Sequence, residues 1–479
     1  MWADDDDDDI MGAFGKYHFA LCTLIFLSKL PIGSYQMSIL FLAPKIDFYC
    51  NGVKDSCPCP NPDYDTKIFQ STIISQWNLI CDRKWLQSLT QMLFQFGVMV
   101  GSILFGMISD RYGRRIPMLV AILMEIVAGL LTAFMPGYWS FTFIRFVLGM
   151  AMGGTMVVSF VIMMEFVGSM YRELLSALYH LPFNLGHLTL PLISYIFRDH
   201  IHFQLALSLP TLGLLLYICF LPETPRWLIA VKRTDKAVKI LTRVATVNKR
   251  PTDNIRADVE AFQAAAEKNK LKKGTLFDIF KTPNLRKHIL AMGFNWLNCS
   301  YCFYGVSQFV GELGGNVFAN VAASASVTMV GTCLSIPLMK VVGRKYIVII
   351  FNFISATCLI TLAVMPEGLG SVVFACIGVV SSFIVFVVVY LYCTELFPTV
   401  VRTAAVGFSS MCARIGSMIA PFVIRLEDHG MWVPPLVFAI APLLAGFITF
   451  LLPETKGCEL MTTLEEGERF GSKPKPEKK

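Results

Sequence analysis

Four ionisable side chains stand inside long apolar runs, where charge is costly: Lys29, Glu125, Arg145 and Arg414. An ionised group in the core of a bilayer costs roughly 2.5–3.5 kcal/mol on insertion scales, so it faces a water-filled cavity or an opposite charge. Arg414 is the most informative of them. Its planar guanidinium can hold a carboxylate through two parallel hydrogen bonds and does not lose its charge. It reads as a cavity residue that attracts the anionic part of a small molecule; the rival reading is a structural arginine paired with a helix carbonyl or carboxylate. Lys29 brings a second cation to similar depth, either to reinforce that field or to pair with Glu125. Arg145 precedes Gly149, Gly153 and Gly154 at the spacing of tight helix contacts, which favours a structural role with conformational coupling behind it. Trp296, Tyr301, Phe303 and Tyr304 gather in one later run. Their rings offer apolar and cation–π contact without demanding one ligand shape, although Trp296 reads as lipid-facing. Tyr195, His180 and His187 share an earlier run, where a lone buried histidine is more often structural than a proton carrier.

A second set of charges is duplicated. Glu165 and Arg172 bracket EFVGSMYR, and Glu395 and Arg402 bracket ELFPTVVR with the same i, i+7 spacing, 230 residues later. The first half ends in LPETPRW and the second in LPETKG, from Leu221 and Leu452. Matching turns between apolar runs are what two parallel halves of a membrane transporter carry. Windows of about 20 apolar residues, the length a helix needs to span hydrocarbon, predict helices near 17–43, 86–109, 116–135, 138–164, 174–197 and 203–221. They resume near 288–310, 319–341, 346–366, 370–393, 403–424 and 432–452. The expected organisation is a tail over 1–15, a six-helix bundle over 16–221, a central loop over 222–287, a second bundle over 288–452 and a tail over 453–479.

Composition supports this. Hydrophobic residues make up 55% of the 479 and charged residues only 16%, too little charge to cover a water-soluble surface. The net charge of +7 does not point to nucleic acid, because the basic residues cluster in loops beside the spans. The start, MWADDDDDD, is acidic where a cleavable signal is basic, and reads as a solvated tail. Lys232, Arg233, Lys236, Lys239, Arg243, Lys249, Arg250, Lys268, Lys270, Lys272 and Lys273 place the central loop in the cytoplasm, and both termini with it. Within that loop Asp235 to Val247 reads as an amphipathic helix with Val238, Leu241 and Val244 on one side. The loop over 44–85 then lies outside the cell. Its Cys50, Cys57, Cys59 and Cys81 predict two disulfides, in any of three pairings. No histidine accompanies them, so a metal site is not expected.

GMISDRYGRR, Gly106 to Arg115, resembles the signature loop of the major facilitator superfamily. QWNLICDRKWLQSLTQMLFQFGVMVGS, RFVLGMAMGG, PETPRWLI and ELFPTVVRTAAVGFSSMCARIGSMIAP resemble one branch of it, the organic cation, organic anion and carnitine transporters. The resemblance covers about residues 15–458. It implies an all-α membrane protein of twelve transmembrane helices in two six-helix halves, with a central cavity open alternately to each side, in the plasma membrane. It implies a cytoplasmic gating network of Asp110, Arg111, Arg114, Glu165, Arg172, Glu223 and Arg226, with Glu395 and Arg402 as second-half counterparts and Arg145 as a coupling residue. It places Phe303, Tyr304 and Gln36 on the cavity, beside Arg414, Lys29, Tyr301 and Tyr195 as substrate-binding candidates. Arginine at position 414 is what anion and carnitine carriers have; cation carriers have aspartate.

The departures bear on the substrate. KVVGRK stands where DRYGRR stands in the first half, with Lys340 at the place of Asp110. The eighth span carries neutral Thr332, Cys333 and Leu334 where exchangers of dianions carry lysine, which favours a monocarboxylate or a zwitterion. The one sequon, Asn298-Cys299-Ser300, falls inside the seventh span, where glycosylation is not expected. The leading expectation is a secondary transporter of small organic anions or zwitterions, with a small organic ion and the lipid bilayer as its partners and one chain sufficient. Organic cations recognised by Glu125 and the aromatic run are the alternative on the same fold. A sugar porter would need paired glutamines that FNWLNCSYCFYG lacks. A non-transporting sensor would explain the altered KVVGRK. No nucleotide loop, metal-spaced set or Ser/His/Asp arrangement implies an enzyme or a cofactor.

Overall fold

The computed structural model of the chain describes residues 14–268, 275–366, 368–458, 461 and 463–471, without the side chains of 169, 170, 172, 173 and 265–268. The acidic stretch Asp4 to Asp9, Lys270, Lys272, Lys273 and the side chain of Arg172 lie outside the described residues. The chain divides into two compact units, residues 2–270 and 271–479. Its apolar runs become helices because a segment in hydrocarbon must satisfy its own N–H and C=O groups. In the first unit these are α1 (Lys16–Leu42), α2 (Trp85–Tyr112), α3 (Arg115–Thr132), α4 (Tyr138–Phe166), α5 (Ser169–Leu178 and Leu181–Ile196) and α6 (His200–Phe220). The second holds α7 (Pro283–Glu312), α8 (Val317–Val341), α9 (Arg344–Val364), α10 (Leu369–Leu396), α11 (Arg402–Ile424) and α12 (Val433–Thr449).

Among the described residues nine helices are long and apolar enough to cross a membrane. The other three have plain reasons to fall short of that measure. α12 has 17 residues, α7 is 30 long but polar, and α5 is broken. The single helix expected over 174–197 is two pieces because Pro182, in the first turn of the second, has no N–H for the carbonyl one turn back.

Each unit has its own core. Leu21, Ile25, Met118, Ile122, Ile126, Val158 and Ile162 pack together in the first, and Ile289, Met292, Ile347, Val348, Val385, Val388 and Val389 in the second. The outer faces are apolar too. On α3, Ile116, Val120, Leu123, Val127 and Leu131 form one exposed stripe, a surface that suits lipid and not water.

The loops hold more structure than the helix pattern predicts. The α1–α2 loop folds a small antiparallel sheet of β1 (Phe48–Cys50), β2 (Val53–Lys54) and β3 (Asp63–Tyr64) in the order β2-β1-β3. Asn51 and Gly52 turn the β1–β2 hairpin, both with positive φ, as a two-residue turn between twisted strands requires. Disulfides join Cys50 to Cys59 and Cys57 to Cys81. The basic stretch after α6 does not hang free. Its helix Thr234–Val247 buries Ala237, Leu241 and Val244 in the first core, while Leu276–Lys281 puts Ile279 in the second.

Candidate functional site

Two charge clusters are built the same way. At the α2–α3 turn Gly113 has φ +97°, a conformation that a side chain would strain, and its missing Cβ leaves room for the Glu223 carboxylate. Glu223 accepts from the backbone N–H of Arg114 at 2.8 Å and Thr224 at 3.0 Å, and so caps the start of α3. Arg114 then reaches Glu165 of α4 at 2.8 Å, Asp110 at 3.0 Å and the Ser109 carbonyl at 2.6 Å. Burial works against the Arg114 charge. The hydrogen bonds and charge of Glu165, with Asp110, outweigh it and hold its pKa above the ordinary arginine value. Trp227 donates to the Asp110 carbonyl at 3.1 Å, which ties the PETPRW segment into the cluster.

In the second unit Gly343 has φ +96° and Glu454 caps α9 through the N–H groups of Arg344 at 3.0 Å and Lys345 at 3.1 Å. Arg344 reaches Glu395 at 2.9 Å and the Met339 carbonyl at 3.0 Å, and Thr455 donates to Glu395 at 2.6 Å. Lys340 supplies no carboxylate, so Arg344 lacks the counterpart of the Asp110 bond. Arg344, Glu454 and Thr455 escaped the sequence reading, although the 230-residue offset that relates Glu165 to Glu395 also carries Arg114 onto Arg344. Of the remaining expected members, Arg111 is exposed and stacks on its neighbour Tyr112. Arg226 is half-buried beside Trp227, and Arg402 donates to the Phe397 carbonyl at 3.3 Å.

Arg145 is 2% exposed and joins three helices. It donates to Ser38 of α1 and to Gln91 of α2, each at 3.2 Å, and lies 4.8 Å from the Phe94 ring centroid. Gln91 in turn donates to the backbone carbonyl of the buried Gln36 at 3.3 Å. The Lys29 ammonium sits 3.9 Å above the ring of Tyr179. Glu125 is fully buried and bonds Thr155 of α4 instead of a cation. Tyr195 is exposed at the end of α5 with Arg198 over its ring, which does not mark a binding residue.

The second unit assembles an aromatic and cationic wall on α7, α10 and α11. The half-buried Arg414 guanidinium stands beside the Tyr304 phenol, within hydrogen-bonding reach. Phe303 packs edge-on to Tyr304 at 5.1 Å and against Phe383 of α10 at 4.9 Å, while Tyr301 packs on Phe438 of α12. Position is enforced from behind. A Cβ on Gly416 of α11 would meet the Leu297 carbonyl of α7 at 2.3 Å, so the two helices touch backbone to backbone. Asn352 of α9 accepts from Asn298 at 2.9 Å and donates to Asn295 at 3.2 Å, and the Thr449 hydroxyl of α12 shares its hydrogen between the Ala445 carbonyl at 2.7 Å and Asn295 at 3.1 Å. Asn298 is thus committed inside the bundle. Trp296 corrects the lipid-facing reading: it is 2% exposed and packs on Phe386 and Tyr390, because the lipid side of α7 lies elsewhere. Among the described residues no group of three or more His, Cys, Asp or Glu could hold a metal ion.

The family model described as Sugar (and other) transporter matches residues 47–466. Solute carrier family 22 member 1 of Oryctolagus cuniculus is 34% identical over 417 residues, covering 86% of this chain and 74% of that protein. The chain belongs to solute carrier family 22. Member 16 of that family from Homo sapiens is 35% identical across 88% of this chain and 74% of its own length. A Drosophila melanogaster relative named organic cation transporter protein is 29% identical across 98% of this chain and 96% of its own. In three dimensions the chain is similar to the inward-open xylose transporter XylE from E. coli, with a TM-score of 0.69 at 18% identity over 92% of this chain and 98% of that one. The fold is therefore that of the major facilitator superfamily. The chain is a multi-pass membrane transporter of the family 22 type and not an enzyme.

Proposed function

We propose that this transporter moves small organic anions or zwitterions, carnitine-like in pairing a carboxylate with a quaternary ammonium, across the plasma membrane by alternating access. The observation that carries the reading is the Arg414–Tyr304 pair on α7 and α11. A guanidinium and a phenol side by side make a donor set for a carboxylate, and the rings of Phe303 and Tyr301 suit the apolar or ammonium end. Within the first unit, Gln36 of α1 is a separate polar candidate, its backbone carbonyl joined to Arg145 through Gln91. Both termini and the basic loop over 222–287 are cytoplasmic in this reading, and the disulfide-bonded α1–α2 loop is extracellular. The clusters around Arg114 and Arg344, with Arg172, Arg226 and Arg402 near them, tighten and loosen in alternate states of the cycle. One chain suffices, and nucleic acid is no partner.

The test is uptake by cells expressing the native chain and an Arg414→Asp variant, offered a radiolabelled monocarboxylate, carnitine and a quaternary ammonium. The reading expects the two carboxylate compounds to enter and the variant to lose them by roughly tenfold or more, the worth of a charge-assisted hydrogen bond. Entry of the quaternary ammonium alone, unchanged in the variant, sinks it. That second outcome is what a cation carrier would give, and the name of the Drosophila relative favours it. Arg414 argues against it, as does Glu125, whose contacts all lie within its own unit.

A further inference from the structure

Glu125 is the one acid within α3, and it is fully buried on the face opposite the lipid-facing stripe. Its hydrogen bonding shows how it is held. Thr155 Oγ1 lies 3.3 Å from Glu125 Oε2 and 3.0 Å from the Ala151 carbonyl. A threonine hydroxyl has one hydrogen, so Thr155 shares it between the Ala151 carbonyl and Oε2 and offers Glu125 at most one divided donor. If Glu125 carries a hydrogen of its own, the Thr155 oxygen can accept it and leave its own hydrogen to Ala151. Oε1 has no partner.

The other elements packed on α3 supply no charge to replace that proton. From α1 faces Tyr35, whose hydroxyl donates to Ser208 at 2.8 Å. From α6 faces Tyr217, whose hydroxyl donates to the Leu24 carbonyl. Both phenol hydrogens are spent elsewhere. Lys29 of α1 stands over the Tyr179 ring, and Arg145 of α4 lies about three turns from Thr155 with its own partners. Between 85 and 109 α2 has no titratable residue. An ionised carboxylate buried without a cation costs several kcal/mol.

We propose that Glu125 is a proton-binding site and that transport by this chain is coupled to protonation there. The step is the simplest one: a proton adds to the carboxylate at Oε2 or leaves it, and no other covalent bond changes. Its link to conformation follows from the neighbours. The ionised form needs donors, and the neighbouring hydroxyls of Tyr35 and Tyr217 are committed to Ser208 and Leu24, while that of Thr155 is shared with Ala151. Those three hydroxyls belong to α4, α1 and α6, so a change of charge at Glu125 bears on the contacts of α3 with each of them. The proposal rests on transport by this chain, whatever the charge of its substrate.

The experiment reconstitutes the purified full chain, native, Glu125→Gln and Glu125→Asp, in liposomes with radiolabelled carnitine. Native uptake is expected to respond severalfold to an imposed pH gradient. Glu125→Gln loses the response while carnitine-for-carnitine exchange at equal pH continues, and Glu125→Asp retains part of it. Infrared difference spectra of the same samples on changing pH give a readout free of substrate: a buried carboxylic-acid carbonyl band in the native chain, missing in Glu125→Gln. A gradient response that survives in Glu125→Gln, a response to sodium in place of protons, or an acid band unaffected by the substitution overturns the proposal. If no carnitine enters the native liposomes, the anion or zwitterion reading has failed, and the infrared band alone then decides for or against Glu125.

Discussion

Arg114 and Arg344 hold equivalent turns with unequal sets of partners. Both side chains are nearly buried, at 11% and 12% exposure, and so are the glutamates they meet, at 16% and 17%. Asp110, by contrast, is 79% exposed, which makes it a weak partner even where it is present. Glu165→Gln and Glu395→Gln should therefore each cost about 1–3 kcal/mol, and Asp110→Asn well under about 1 kcal/mol. Thermal unfolding of the purified chain in detergent orders the three, and an Asp110 variant as damaging as the other two would contradict the ranking. It follows that the Lys340 substitution weakens the second cluster less than its place in the motif suggests. The sequence pointed to Glu165 and Glu395 because the duplicated spacing is visible in one dimension. It did not reveal Arg344 as the partner of Glu395, because the two meet across separate helices and no local spacing joins them. Nor can spacing fix helix rotation, which is why Trp296 read as lipid-facing and why two roles stood open for Lys29.

Among the elements, α2 and α4 make the tightest seam. A Cβ on Gly149 would lie 2.2 Å from the Phe94 carbonyl, and one on Gly101 would lie 2.0 Å from that of Met150. Backbone cannot yield as a flexible side chain can, so the seam needs glycine at both positions. Gly149→Leu should abolish correctly folded protein at the cell surface. Gly106→Ala, whose nearest neighbour would be a Val157 methyl at 3.9 Å, should leave it unchanged. Fluorescence-detected size exclusion of tagged variants reads both, and normal Gly149→Leu protein would mean that the helices are not held this close. Most spans could be placed from apolar length alone, since hydrocarbon thickness sets it. The break in α5 was available in Pro182, and the hairpin in Asn51-Gly52, but each is a local signal inside a segment judged by its average hydropathy. In the central loop the amphipathic pattern of Leu241 and Val244 was legible, but the core that buries them was not.

For the whole molecule, the duplication of motifs, the family and the fold agree that the chain is a transporter, and substrate charge is the point on which its individuality turns. The amino-acid types on α7 and α11 argue for a carboxylate. Residues far apart in the chain meet there, Tyr304 and Arg414, and only their placement in three dimensions joins them into one donor set. The most direct measurement compares uptake of carnitine with uptake of its methyl ester, which keeps the quaternary ammonium and removes the negative charge. The account predicts that the native chain takes up carnitine at least roughly tenfold better than the ester, and that Arg414→Gln erases the preference. Ester uptake equal to or above that of carnitine in the native chain, with no change in Arg414→Gln, would contradict it.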